Sequence, residues 1–97
     1  MDIASFKESL TANKPPDDAS IYLKALWHDA KGDWNTAHNL IQDAEDNNAS
    51  WIHAYLHRKE GDISNAGYWY RRAGKKMPEI SLEKEWENIA DDLLNHD

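Results

Sequence analysis

The 97-residue chain has no cysteine, four glycines, three prolines and a single phenylalanine. Without cysteine there are no disulfide staples, no thiol nucleophile, no thiolate metal site and no iron-sulfur cluster. So little glycine and proline excludes collagen-like and low-complexity chains. No apolar run approaches the roughly 18 to 20 residues that a membrane-spanning helix needs, and MDIASFKESL at the start lacks the basic-then-apolar build of a signal peptide. A cytoplasmic location is the expectation. Basic side chains are the minority, 11 against 18 acidic, for a formal charge of -7, so general affinity for nucleic acid or membrane surfaces is not expected. The length allows one domain with one core and leaves no room for a separate cofactor domain; no cofactor is expected.

What the chain does have is 40% hydrophobic and 30% charged residues, with five tryptophans. This describes a compact helical protein rather than a disordered one. An internal repeat organises it. Residues 25 to 45, ALWHDAKGDWNTAHNLIQDAE, align without gaps on residues 54 to 74, AYLHRKEGDISNAGYWYRRAG, at an offset of 29. Six positions are identical: Ala25/Ala54, His28/His57, Gly32/Gly61, Asp33/Asp62, Ala37/Ala66 and Ala44/Ala73. Trp27/Leu56, Leu40/Trp69 and Ile41/Tyr70 exchange one large apolar or aromatic group for another. A constant period without gaps points to a supersecondary unit that recurs and stacks.

The unit reads as a helical hairpin. Gly32-Asp33 and Gly61-Asp62 supply its turn, glycine ending one helix in the left-handed conformation and aspartate capping the next. After each turn, Trp34, Ala37, Leu40, Ile41 and Ala44, then Ile63, Ala66, Trp69, Tyr70 and Ala73, fall on a stripe of about 3.6-residue period. Before it, Tyr22, Leu23, Leu26 and Trp27 match Trp51, Ile52, Tyr55 and Leu56. Each copy is expected to be two amphipathic helices back to back. Outside the copies, Ile3, Phe6 and Leu10 mark a first helix stopped by Pro15-Pro16, with Asp17-Asp18 expected to cap the next. Leu82, Trp86, Ile89, Ala90 and Leu93 mark a last one, with Ser81 as its cap and Glu83 and Glu85 in its first turn. The terminal helices are expected to cap the open end faces that two repeats leave.

The order of residues resembles the tetratricopeptide repeat and its Sel1-like relatives. Those hairpins carry a small residue in helix A, Gly-Asp at the turn, Ala early in helix B, a large residue four on, Ala three further, and then Pro. The second copy reads Ala54, Gly61-Asp62, Ala66, Tyr70, Ala73, Pro78. The first reads Ala25, Gly32-Asp33, Ala37, Ile41, Ala44 and lacks the proline. The likeness covers residues 18 to 78. It departs from the family in its period, shorter than the usual repeat of about 34, and in placing His28 and His57 where an aromatic is common. WIHAYLHRKEGD followed by YWYRRAG is also similar to stretches of small bacterial proteins of this type. The resemblance implies a scaffold that binds peptides or proteins on the side lined by the A helices, not an enzyme; as fold-level analogy it fixes no particular function.

Three groups of residues carry possible chemistry. On the second A helix, Ser50, His53, His57 and Glu60 share a stripe opposite Trp51, Ile52, Ala54, Tyr55 and Leu56. His53 and His57, four apart, suit a metal ion with Glu60 or His28 as third ligand, if the A helices lie side by side. The same exposed patch suits an acidic peptide end or small anion, aided by Lys24, Lys31, Arg58 and Lys59; the plainer alternatives are a solvated face, or His rings hydrogen-bonded at the seam between hairpins. HAYLH lacks the glutamate of a zincin protease. Trp51, Tyr55, His57, Arg58 and Lys59 are the expected partner-binding residues. The third group is RRAGKK, at 71 to 76. Residues 58 to 76 hold six basic and two acidic side chains, whereas 77 to 97 hold one and seven. The basic run is expected to pair with Glu83, Glu85 and Glu87, the alternative being an acidic partner. No catalytic residue is expected; no nucleophile lies in a Gly-x-Ser-x-Gly turn.

The expected architecture is all-α, one domain of about six helices: an N-terminal capping helix and linker over 1–16, repeats over 18–47 and 50–78, and a capping helix over 80–95. The expected function is a non-catalytic protein- or peptide-binding module, monomeric or weakly dimeric. The alternative is a metal- or small-ligand-binding accessory protein built on His28, His53, His57 and Glu60.

Overall fold

Aspartate and serine side chains set where the helices begin. In the computed structural model, which describes residues 1–95, six helices follow one another without a strand among the described residues: α1 Ile3–Ser9, α2 Ile21–Ala30, α3 Trp34–Ile41, α4 Asn47–Lys59, α5 Ile63–Ala73 and α6 Leu82–Asn95. Asp2, Ser20, Asp33, Asp46 and Asp62 each accept a hydrogen bond from the backbone N–H three residues on. Ser81 does the same for Lys84 at α6. Each such cap contributes about 1 kcal/mol by satisfying a donor that the helix leaves free. The cap of α2 is Ser20, not Asp17 or Asp18, which lie in the preceding turn.

The turns between α2 and α3 and between α4 and α5 are built alike. Gly32 and Gly61 have φ of 86° and 88°, the left-handed region that side chains disfavour. Their successors close back identically, Asp33 N–H to His28 C=O at 2.8 Å and Asp62 N–H to His57 C=O at 2.9 Å. Ala25 and Ala54, Ala37 and Ala66, and Ile41 and Tyr70 are all buried, whereas His28 and Ala44 are half-buried where His57 and Ala73 are buried. The small alanine side chains let α2 approach α3, and α4 approach α5, closely.

Helix α4 is the centre of the molecule, in contact with α2, α3, α5 and α6. Its expected polar stripe is therefore not a surface. Ser50, His53 and His57 are buried together with Ala49, Ile52, Ala54, Tyr55 and Leu56, because α3 and α5 cover one side and α2 and α6 the other.

The terminal helices meet each other instead of closing opposite ends of a stack. Phe6 of α1 stacks on Trp86 of α6 at 5.7 Å, and Lys7 pairs with Glu87 at 2.8 Å. The connection through Pro78 carries the chain from the end of α5 back across α4, so α6 packs on α1, α2 and α4, while α5 packs on α4 and reaches α6 through the Tyr70 hydroxyl on Glu85. Ile63 and Tyr68 of α5 are left exposed.

Four of the five tryptophans tie one helix to another through their indole N–H. Trp27 donates to Ser9 C=O at 3.2 Å, Trp34 to Leu56 C=O at 2.8 Å, Trp86 to Leu26 C=O at 2.9 Å and Trp51 to the Glu85 carboxylate at 3.2 Å. Trp27 and Trp86 are buried; Trp34, Trp51 and Trp69 are half-buried. Their large area compensates for the short chain, and in those four the one polar atom makes a cross-helix bond.

Candidate functional site

The stripe of α4 that carries His53 and His57 faces the last turn of α3 and the middle of α5. There His38 completes a cluster of three imidazoles. Its Nε2 lies 3.0 Å from Nε2 of His53. The ring centres of His53 and His57 are 4.8 Å apart, and those of His38 and His57 5.4 Å. One ligand nitrogen from each of the three can be chosen so that all lie within 4.8 Å of one another. Two tryptophans wall the cluster. Trp34 stacks on His38 at 4.9 Å, one turn before it on α3, and Trp69 stacks on His53 at 3.9 Å.

The hydrogen bonding is uneven. His57 Nδ1 is held by the Glu60 carboxylate at 2.8 Å, and its Nε2 receives a long 3.3 Å contact from the Asn65 amide. His53 Nδ1 is buried without a hydrogen-bond partner among the described residues. Burial, then the nearby His57, push the pKa of His38 down. Burial and the two neighbouring rings lower His53 from 6.5 to about 4, so near neutral pH its ring is uncharged and its lone pair available.

Of the residues expected to hold a metal, His53 and His57 are together and Glu60 touches the cluster through His57. His28 does not join them: it stands edge-on against Trp27, 5.1 Å away, on α2, whereas the histidine face of α4 points to α3 and α5. His38 takes its place. The sequence signal for it was Trp34 and His38 at four-residue spacing on one helix, facing His53 and His57 at the same spacing on the next.

The five residues expected to meet a partner scatter. His57 lies in the imidazole cluster. Tyr55 is buried and donates its hydroxyl to the buried Asp29 at 2.9 Å, which also pairs with Lys59 at 2.9 Å. Trp51 and Arg58 turn to a second buried carboxylate. Glu85, 1% exposed, accepts from Arg58 Nη1 at 2.8 Å, from the Tyr70 hydroxyl at 2.6 and 2.8 Å, and from Trp51. Arg58 also donates to Ile80 C=O. Burial, then the carboxylates, raise the pKa of both tyrosines well above the ordinary value, so both remain donors.

Among the described residues, RRAGKK makes none of the expected ion pairs with Glu83, Glu85 and Glu87. Arg58 and Lys7 hold Glu85 and Glu87, while Arg72 lies over the rings of Trp69 and Tyr68 and Lys75 over Trp51 at 4.0 Å.

On the other side of α4 a cleft of about 520 Å³ opens between α1, α2, α4 and α6. Leu10, Tyr55, Leu82 and Trp86 give it apolar walls, and Lys7 and Lys59 stand at it beside Glu87 and Asp29. No described helix is long and apolar enough to cross a membrane. No family model, curated protein or solved structure matches this chain.

Proposed function

We propose that the protein is a non-catalytic peptide- or protein-binding module whose recognition site is the cleft between α1, α2, α4 and α6. One observation carries the reading: a cleft of about 520 Å³ with apolar walls and a few fixed polar groups lies on the side of the molecule formed by α2 and α4. Binding sites are of this kind, concave, mostly apolar and roughly 300 to 1,000 Å³. The two expected contact residues Tyr55 and Lys59 line it. The tetratricopeptide resemblance supports the same side, since α2 and α4 would be its A helices. Much of that side is already covered by α6, through Glu85, Trp86, Ile89 and Ala90, so the ligand is a short segment rather than a long one. Its chemistry follows from the walls: one large apolar side chain as anchor, with polar backbone around it that the lysine and carboxylate rim can meet. This reading includes a cytoplasmic setting, an expectation that rests on composition, and a monomer or weak dimer.

Display of random peptides against the immobilised protein tests it. Enriched peptides should share a large apolar anchor and compete for a single site. Ala30 lines the cleft and is exposed, so Ala30→Trp fills the cleft without disturbing the core and should abolish binding. Absence of any enriched family, or binding unchanged in Ala30→Trp, overturns the reading.

A further inference from the structure

We propose that His38, His53 and His57 form a binding site for a divalent transition-metal ion, with Zn2+ as the ion the donor set fits. The three imidazoles come from the facing turns of two helices, and their nitrogens already crowd one small volume. In a tetrahedral zinc site, nitrogens about 2.0 to 2.1 Å from the metal are roughly 3.3 Å apart. His38 and His53 Nε2 are 3.0 Å apart, and the three-ring set lies within 4.8 Å. Small ring rotations suffice to reach that spacing. A hydrogen bond between the two Nε2 atoms uses the lone pair of only one of them. A cation placed between the rings uses both.

The surroundings are those of a ligand set. Glu60 accepts from Nδ1 of His57, which fixes the tautomer that leaves the Nε2 lone pair free; a carboxylate behind a ligating histidine orients the ring and raises its basicity. The Asn65 amide contact to that Nε2, 3.3 Å long, is the weak interaction that the ion displaces. Trp34 and Trp69 hold the His38 and His53 rings in place by stacking. The Glu60 and Asp62 carboxylates, both near His57, oppose the ion's charge from outside the three-nitrogen set. Imidazole donors without thiolate suit late first-row divalent ions rather than Mg2+ or Ca2+, which take oxygen. Three protein donors leave one tetrahedral position for water or for a side chain of a partner.

The test uses the full chain, freed of metal with a chelator and titrated calorimetrically with Zn2+ near neutral pH. One ion should bind per chain with a Kd below about 10 µM. His38 is the half-buried member, so His38→Gln is the variant that perturbs packing least, and it should weaken binding at least about 100-fold. Glu60→Gln should weaken it about 10-fold, and His28→Gln should leave it unchanged. Ring-nitrogen NMR on the wild-type protein keeps the test independent of how variants fold: Zn2+ should shift the nitrogens of His38, His53 and His57 but not those of His28. Binding weaker than about 10 µM, a stoichiometry other than one, or shifts that spare any of the three rings overturns the assignment. So does unaltered affinity in a folded His38→Gln.

Discussion

Replacing Glu85 with alanine should remove a buried carboxylate that ties three side chains, Arg58, Tyr70 and Trp51, to α6. The side chain of Glu85 is 2% exposed and that of its partner Arg58 16%. Its carboxylate also satisfies the Tyr70 hydroxyl and the Trp51 indole. Truncation leaves a guanidinium still held only by Ile80 C=O among the contacts described above, and a buried tyrosine hydroxyl with its acceptor gone. Breaking a buried ion pair from one side costs about 3 to 5 kcal/mol, because the remaining charge stays desolvated. A domain of this length has only about 5 to 15 kcal/mol in total. Urea denaturation followed by far-UV circular dichroism should therefore show Glu85→Ala losing at least about 3 kcal/mol, with Tm falling by more than about 12 °C. Glu85→Gln keeps an acceptor for Tyr70 but not the charge, and should lose about 1.5 to 3 kcal/mol. In the double-mutant cycle with Arg58→Ala, the coupling should exceed about 1.5 kcal/mol. A loss below about 1 kcal/mol in Glu85→Ala, or no coupling to Arg58, would refute the argument that this carboxylate holds α6 to α4 and α5.

Other perturbations are read by the same assay. In chelator, the stability of the metal-free protein should fall as pH drops from about 6.5 to 4. The pKa of His53 is lowered on folding to about 4, so the unfolded chain binds the proton first. Stability is thus fully present above the unfolded value and is lost as pH falls, by about 3 kcal/mol in all; His38 adds to the loss in the same direction, with His57 and Glu60 as the ionisable neighbours in the cluster. His53→Leu should flatten that limb, and an unchanged slope would count against the burial of an uncharged ring. Gly61→Ala should cost about 1 to 2 kcal/mol through its φ of 88° alone, since nothing lies within 4 Å of an added Cβ. Gly67→Ala, within α5 and with only the end of Arg71 at 3.6 Å, should instead stabilise by about 0.5 to 1 kcal/mol. Ser50 Oγ is buried with no partner among the described residues, so Ser50→Ala should be neutral or stabilising; a loss above about 1 kcal/mol would reveal a hydrogen bond the structure does not contain.

The candidate sites were legible to different depths. His53 and His57 could be paired from their spacing on one helix, because side chains four apart share a face. His38 could not be assigned to them, since sequence periodicity does not say which neighbouring helix a face meets. The same gap misplaced the cations. RRAGKK and the glutamates of α6 are close in sequence, yet Glu85 enters the core and is met by Arg58 from α4, while Arg72 and Lys75 lie on nearby aromatic rings. Tyr55 read as a contact residue because it lies on the second A helix, the side that the resemblance assigns to binding; Asp29 on α2, with which its hydroxyl pairs, carried no sequence signal of its role.

The sequence by itself determined the local elements. Apolar spacing, aspartate and serine caps and the two Gly-Asp turns act within a few residues, so they place six helices and the two turns between α2 and α3 and between α4 and α5 without knowledge of the rest of the chain. Tertiary structure decided which faces are inside. Helix α4 reads as amphipathic alone, but α3 and α5 close over its histidine face while α2 and α6 close over the other, which turns an apparent surface stripe of histidines into a buried cluster. The return of α6 also set the terminal helices against each other and left the cleft beside α2 and α4. Burial depends on contacts between residues as far apart as Trp86 and Leu26, and a periodicity of 3.6 residues carries no information over that distance.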